Sequence, residues 1–143
     1  MNIWAFQEVL SRRLSLWARF SIGLGLAGLF APFEFWRGMA GQFIGWGIIN
    51  QAIAFFGSKG TQKRLANLNE TGKKAIEPQE TRKLTKILWI NAGLDVGYVL
   101  FGAIFARSNR DNSFKVGTGI GIIVQGLFLL FFDWIHANQL KRG

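Results

Sequence analysis

Seven residues are written twice in this chain. Gly45-Trp46-Gly47-Ile48-Ile49-Asn50-Gln51 recurs as Gly119-Ile120-Gly121-Ile122-Ile123-Val124-Gln125, so both copies read G-x-G-I-I-x-Q. The same offset of 74 superposes Leu14 on Leu88, Ala18 on Ala92, Gly23 on Gly97, Leu26 on Leu100 and Gly28 on Gly102 in identity, and Arg12 on Lys86 in charge, without a gap. Each copy lies inside a long apolar run. A repeat that spans two pairs of such runs constrains the chain to a duplicated helical hairpin.

Four runs carry this reading, at about 16–31, 36–56, 87–106 and 116–137. Each is close to the ~20 residues that a helix needs to cross the hydrocarbon of a bilayer. Half of the 143 residues are hydrophobic, with 14 Phe and 6 Trp, yet the net charge is +9. So small a domain in water cannot hide that much apolar surface. The two facts agree if the runs lie in lipid and the charge lies in the connections. A soluble bundle would also place charges at regular intervals along its wet faces, whereas only Asp95 interrupts the long interior stretches. The fold expected is therefore all-α: an integral membrane four-helix bundle built from two tandem hairpins as a parallel repeat. Residues 1–15 precede it as an interfacial amphipathic helix, with Ile3, Phe6, Leu10 and Leu14 near helical spacing.

The connections set the orientation. Pro32-Phe33-Glu34-Phe35 makes a tight turn, and residues 107–115 join the third and fourth runs. Residues 57–86 form a basic linker holding Lys59, Lys63, Arg64, Lys73, Lys74, Arg82, Lys83 and Lys86. Thr61 is read as the cap of a short linker helix over 62–69, ended by Thr71-Gly72, and Pro78 as the first turn of the third helix. With four spans, the linker, Arg12 and Arg13, and Lys141 and Arg142 all fall on one side. The positive-inside bias then predicts a multi-pass inner-membrane protein with both termini cytoplasmic. The basic linker faces anionic lipid headgroups, and no nucleic-acid partner is expected.

The candidate functional residues follow from the solvent. Helices in lipid gain little by burying apolar surface against each other and rely on close approach. Gly41 with Gly45, Gly93 with Gly97, and Gly117 with Gly121 are small-x-x-x-small pairs on three spans, expected to pack mainly within the chain. They also point to a homo-oligomer or a subunit of a membrane complex. Asn91, Asp95 and Tyr98 share one face of the third helix. Convergence of that face with Gln51, Gln125 and Asn50 would make a polar core, either an ion or ligand site or a set of hydrogen bonds that fixes helix register. A carboxylate so deep must be paired, hydrated or protonated. Asp133 and His136, one turn apart, lie at the inner interface, and Arg19 is placed to snorkel or to pair with Asp95 or Asp133. There is no Cys and one His, which excludes a disulfide, a thiol nucleophile and a His-rich metal site. No metal is expected. The cofactor is open, with bound lipid or pigment as candidates.

The runs Asn91-Ala92-Gly93-Leu94-Asp95-Val96-Gly97-Tyr98, Gly119 to Gln125 and Phe132-Asp133-Trp134-Ile135-His136-Ala137 resemble small uncharacterised bacterial four-span membrane proteins. That resemblance covers mainly the second hairpin. It implies the topology and, because the family has no assigned activity, no residue roles. Three function classes follow. The first is a non-enzymatic accessory or structural subunit packing helices, lipid or pigment in a larger membrane assembly. The second is a small proton- or cation-linked transporter or channel using Asp95 with Gln51 and Gln125. The third and most remote is an intramembrane lipid enzyme. The chain is not expected to be an enzyme.

Overall fold

The computed structural model describes residues 2–143, and among them it contains helices and no strand. Four helices follow in order: α1 (Ile3–Gly28), α2 (Glu34–Ala66), α3 (Glu70–Ser108) and α4 (Ser113–Arg142). Three begin with an asparagine whose side-chain oxygen accepts free amides of the first turn. Asn2 takes Trp4 N and Ala5 N, Asn69 takes Gly72 N, and Asn112 takes Lys115 N. Asparagine favours this position because its side chain replaces the acceptors a helix start lacks. The start of α2 has no such cap; Glu34 occupies its first turn and pairs with Arg37 at 3.1 Å.

Two expected boundaries differ. No separate interfacial helix precedes the first run, because α1 continues through it. Nothing between Asn2 and Gly28 breaks a helix, and Ile3 is wholly buried against Leu88, Ala137 and Leu140. The basic linker is helical almost throughout, as the ends of α2 and α3, and turns only at Asn67-Leu68-Asn69. Thr61 therefore lies inside α2 and Pro78 inside α3. The Thr61 hydroxyl is used against Gln7 of α1 rather than as a cap.

α1 packs along α2, α2 along α4, and α4 along α3, while α1 and α3 meet less extensively. The amide of Ile3 donates to Glu77 Oε1 at 3.0 Å, which brings the start of α1 against α3. The cluster of Ile3, Trp4, Leu88, Ala137 and Leu140, bordered by Leu65, Leu68 and Leu84, gathers the chain ends and the α2–α3 turn at one end. Most of the linker's positive charge lies there too.

Glycine sets the spacing of the helices. A Cβ on Gly38 of α2 would run into the carbonyl of Phe114, and one on Gly117 of α4 into the carbonyl of Phe35. Gly25 and Gly47 let α1 and α2 approach in the same way, with Ala40 and Ile44 facing one and Ala18 and Ile22 the other. The offset of 74 is not the register of these contacts. It would carry Gly25–Ala40 onto Val99–Phe114, whereas Val99 faces Gly126. Gly119 packs on Gly102 and Ala106, and its counterpart Gly45 has open space.

The burial pattern runs opposite to that of a soluble bundle. The buried set is rich in Ala, Gly and polar side chains, among them Ser21, Asn50, Asp95 and Gln125, while Phe20, Phe30, Phe56, Leu100, Phe101, Ile104 and Phe131 are exposed. α3 and α4 each contain a segment long and apolar enough to cross a membrane. α1 and α2 do not reach that mark. Arg12, Arg13 and Arg19 dilute one, and Gln42, Asn50, Gln51 and a basic end dilute the other.

Candidate functional site

The polar residues of the interior do not converge. They fall into separate groups along the bundle, and the helix that carries each decides which.

The first group joins α1 to α4. Gln125 is 0% exposed. Its Nε2 donates to Ser21 Oγ at 2.9 Å, and its Oε1 accepts from Trp17 Nε1 at 3.2 Å. The Ser21 hydroxyl in turn donates to the carbonyl of Phe43 on α2 at 2.7 Å. The Trp17 ring stacks on Phe128 of α4, with centroids 3.7 Å apart and planes inclined by 8°. Three helices are thus tied by one chain of bonds, and sequence reasoning passed over Ser21 and Trp17. The offset of 74 pairs Ser21 with Asp95 and so offered a signal. Gln51, the repeat partner of Gln125, stays on the other side of α1, where it accepts from Ser15 Oγ at 2.9 Å.

The second group is a pair of acids. Asp95 of α3 and Asp133 of α4 are both buried, and their carboxyl groups face each other within hydrogen-bonding reach. Asp95 Oδ2 has no hydrogen-bond donor among the described residues. The expected cluster of Asp95 with Gln51 and Gln125 does not form, since both amides are committed elsewhere. Asp133, expected at the inner interface, is buried and meets Asp95. Asn91, one turn from Asp95, borders the cavity described below. Tyr98 turns away to the outer face, edge-on to Trp46 at 5.0 Å. Asn50 is fully buried on α2, and its Nδ2 has no acceptor.

The third group closes the end of the bundle that holds the chain ends. Gln7 Oε1 accepts from Thr61 Oγ1 at 2.8 Å and from Arg64 Nη2 at 3.4 Å. Gln7 Nε2 donates to Glu80 Oε2 at 3.3 Å, and Arg64 also pairs with that oxygen at 3.4 Å. This ring borders a cavity of about 310 Å³ whose walls include Leu10, Leu14, Ile53, Leu84 and Phe132, and which reaches Asn91 and Asp133. Lys83 lies exposed on its rim.

Nearby, His136 Nδ1 lies 2.6 Å from the carbonyl of Phe132, and its Nε2 lies 3.0 Å from Arg13 Nη1. A carbonyl only accepts and a guanidinium only donates. The ring is therefore neutral with its proton on Nδ1. Asp133 and His136, though one turn apart, do not bond to each other. Arg19 is exposed and pairs with neither aspartate; Arg13, also exposed, is the α1 arginine that reaches His136.

The glycine pairs divide. Gly117 and Gly121 pack against Phe35 and Gln42 of α2, while Gly41, Gly45, Gly93 and Gly97 meet nothing within 4 Å. Intrachain packing therefore does not explain four of the six. Gly93 and Gly97 border an outward groove with Trp46, Tyr98 and Phe101. Among the described residues, no group of three or more His, Cys, Asp or Glu side chains could hold a metal ion.

Residues 13–134 match the family of unknown function DUF6992. No curated protein and no solved structure matches the chain.

Proposed function

We propose, for a chain that belongs to the DUF6992 family of unknown function, an integral membrane protein of four spans whose role is to pack against other helices in the bilayer, as a homo-oligomer or as a non-enzymatic subunit of a larger assembly. One observation carries the reading: the outside of the molecule is strongly apolar while polar side chains are drawn within. Exposed Phe, Leu and Ile side chains run along all four helices, and Ser21, Asn50, Asp95 and Gln125 are buried beside Ala, Gly and a few larger apolar side chains. In water such a surface invites aggregation. In lipid it is the ordinary arrangement, because close packing and interhelical hydrogen bonds, not apolar burial, hold spans together.

The apolar segments of α3 and α4, long enough to cross a bilayer, agree with insertion. α1 and α2 are proposed as spans because they are glycine-laced, outwardly apolar and packed lengthwise on one another, with α2 also packed along α4. On this reading α1–α2 and α3–α4 are two hairpins with the chain ends and the basic α2–α3 turn in the cytoplasm of the inner membrane, where that turn meets anionic headgroups. The faces through Gly41 and Gly45 and through Gly93 and Gly97, open within the chain, are the proposed contact faces for another helix. Lipid or pigment held between such faces is the proposed cofactor class.

A second reading, proton- or cation-linked transport at Asp95, has one observation in its favour: a second buried carboxyl, that of Asp133, faces it.

The absence of native cysteine makes the test direct. Gly45→Cys and Gly97→Cys, oxidised in native membranes, are expected to give crosslinked dimers or crosslinks to a larger partner, while Arg142→Cys labels from the cytoplasmic side only. A molecule that stays monodisperse without detergent, or labels residues 67–69 from the side opposite the chain ends, overturns the proposal.

A further inference from the structure

The Asp95–Asp133 pair lacks the counter-charge that buried acids need. Asp95 is 3% exposed and Asp133 7% exposed, their carboxyls face each other, and Asp95 Oδ2 has no donor. A buried ion without a partner is too costly to keep, and two facing carboxylates cannot both stay ionised. The surrounding charged groups do not relieve them. On α1, Arg13 is bonded to His136. On α2, Arg64 is held by Glu80 and Gln7. On α3, Lys83 lies exposed at the cavity rim. On α4, both nitrogens of His136 are occupied, and the amide of Gln125 is given to Ser21. A metal cation is a poor fit, because hard cations take about six oxygen ligands and no third acidic or imidazole side chain joins this pair.

We infer that Asp95 and Asp133 form a proton-binding site, one proton held between the two carboxyls and exchanged through the cavity with the end of the bundle that carries the chain termini. Asp133 borders that cavity, and Gln7, Arg64 and Glu80 border its other end. On the far side of the pair, α3 and α4 close tightly. A Cβ on Gly126 would meet Val99 Cγ2 at 2.9 Å, and Gly102 and Gly119 abut further along. The α3–α4 seam therefore offers no route on that side. The site belongs to the bundle core and does not depend on the chain packing against another protein.

Dicyclohexylcarbodiimide, which attacks protonated carboxyls in apolar surroundings, tests this on the full-length chain in lipid nanodiscs. The reagent is expected to label Asp95 or Asp133 at neutral pH, less as the pH is raised, and equally with or without sodium or potassium. Asp95→Asn removes the facing carboxyl and leaves a neutral amide donor in its place, so the label on Asp133 should be lost at a lower pH than in the wild type. Gly57→Leu fills the cavity: a Cβ there meets only Ser11 Oγ, at 3.5 Å. It should leave the protonated-carboxyl infrared band in place and slow its hydrogen–deuterium exchange. Failure to label either aspartate at any pH, protection by an alkali cation, or a pH profile of the Asp133 label unchanged by Asp95→Asn overturns the inference. Should Asp95→Asn not fold, the wild-type infrared spectrum decides: no protonated-carboxyl band at neutral pH overturns it equally.

Discussion

Gly102 of α3 and Gly119 of α4 each stand against the other's carbonyl oxygen. A Cβ on Gly102 would lie 2.7 Å from the oxygen of Gly119, and one on Gly119 would lie 2.8 Å from that of Gly102. Backbone on both sides leaves neither partner able to give way. Gly119→Ala is therefore expected to force α3 and α4 apart and to destabilise the bundle by about 1–3 kcal/mol, as overpacking does. Gly93→Ala, where a Cβ meets nothing, is expected to be neutral or slightly stabilising through helix propensity. Unfolding midpoints of the two variants in detergent check both. A Gly93→Ala variant that keeps its midpoint and loses its oligomer would mark that face as a contact between chains.

The Gln125 network predicts an asymmetry between the two repeat copies. Gln125→Leu strips Trp17 Nε1 of its acceptor and Ser21 Oγ of a donor in a fully buried place. On the proposed membrane reading, each interhelical bond of this kind is worth ~0.6 to 2 kcal/mol. Gln51→Leu removes one bond, from Ser15, at a half-buried position, and should cost less. Equal midpoints for the two variants would contradict this. Trp17 emission, shifted in the first and not in the second, gives an independent reading.

These two cases also show how far the sequence could be read. The all-α class was legible, because long apolar runs without charges admit few alternatives. The polar residues were legible as a set: Asn91, Asp95, Gln51, Gln125, Asp133 and His136 each stood out against an apolar background. Their partners were not. Which residues meet depends on how each helix is rotated and how far it slides, and glycine fixes both through contacts such as Gly102–Gly119. An identity of G-x-G-I-I-x-Q at a fixed offset carries no information on that rotation. Gly45 and Gly119 match in sequence, yet one faces open space and the other a helix. The linker is more helical than a short helix over 62–69 and a third helix starting at Pro78 would make it, because Lys, Arg, Gln and Glu are good helix formers, and only Asn67 to Asn69 interrupts them.

The His136 ring gives a prediction free of any energy. Its Nδ1 proton points to the carbonyl of Phe132, and Nε2 accepts from Arg13. Nitrogen-15 spectra of the neutral ring should show the Nδ1–H form, opposite to the form that the side chain of free histidine prefers. Arg13→Gln should weaken that bias, and His136→Phe should keep the edge-on contact with Phe6, 5.9 Å between centroids. A dominant Nε2–H form would refute the Arg13 contact.

Two ion pairs at the basic end should respond differently to truncation. Glu80 keeps only 12% of its side chain exposed and shares its carboxylate with Arg64 and Gln7. Arg64→Met leaves that acid without its cation and is expected to lower the unfolding midpoint measurably. Glu70 is fully exposed, and the hydrogen bond and charge of Lys73 hold its carboxyl below the ordinary glutamate value. A depressed carboxyl contributes stability at neutral pH that is lost as pH falls through its folded value. At so exposed a site the loss should be slight. Lys73→Met should return the Glu70 titration, followed by carboxyl carbon-13 shifts, towards that of free glutamate without moving the midpoint.

Asn50 offers the reverse test, a polar group whose removal should help. It is 1% exposed on α2, and its Nδ2 has no acceptor. A buried donor left unpaired costs about 1–3 kcal/mol, so replacing it by an apolar side chain of similar size removes a penalty and sacrifices no bond at that nitrogen. Asn50→Leu is expected to hold or raise the unfolding midpoint. Asn50→Asp, which places a third carboxyl in a core that already holds Asp95 and Asp133, should lower it sharply at neutral pH and less in acid, where the added group is protonated. The comparison separates two accounts of the residue. If Asn50 were a register-fixing bond between helices, Leu would destabilise as Gln125→Leu does, and the amide would have a partner on α1 or α4. If it is an unpaired donor, only the charged variant suffers.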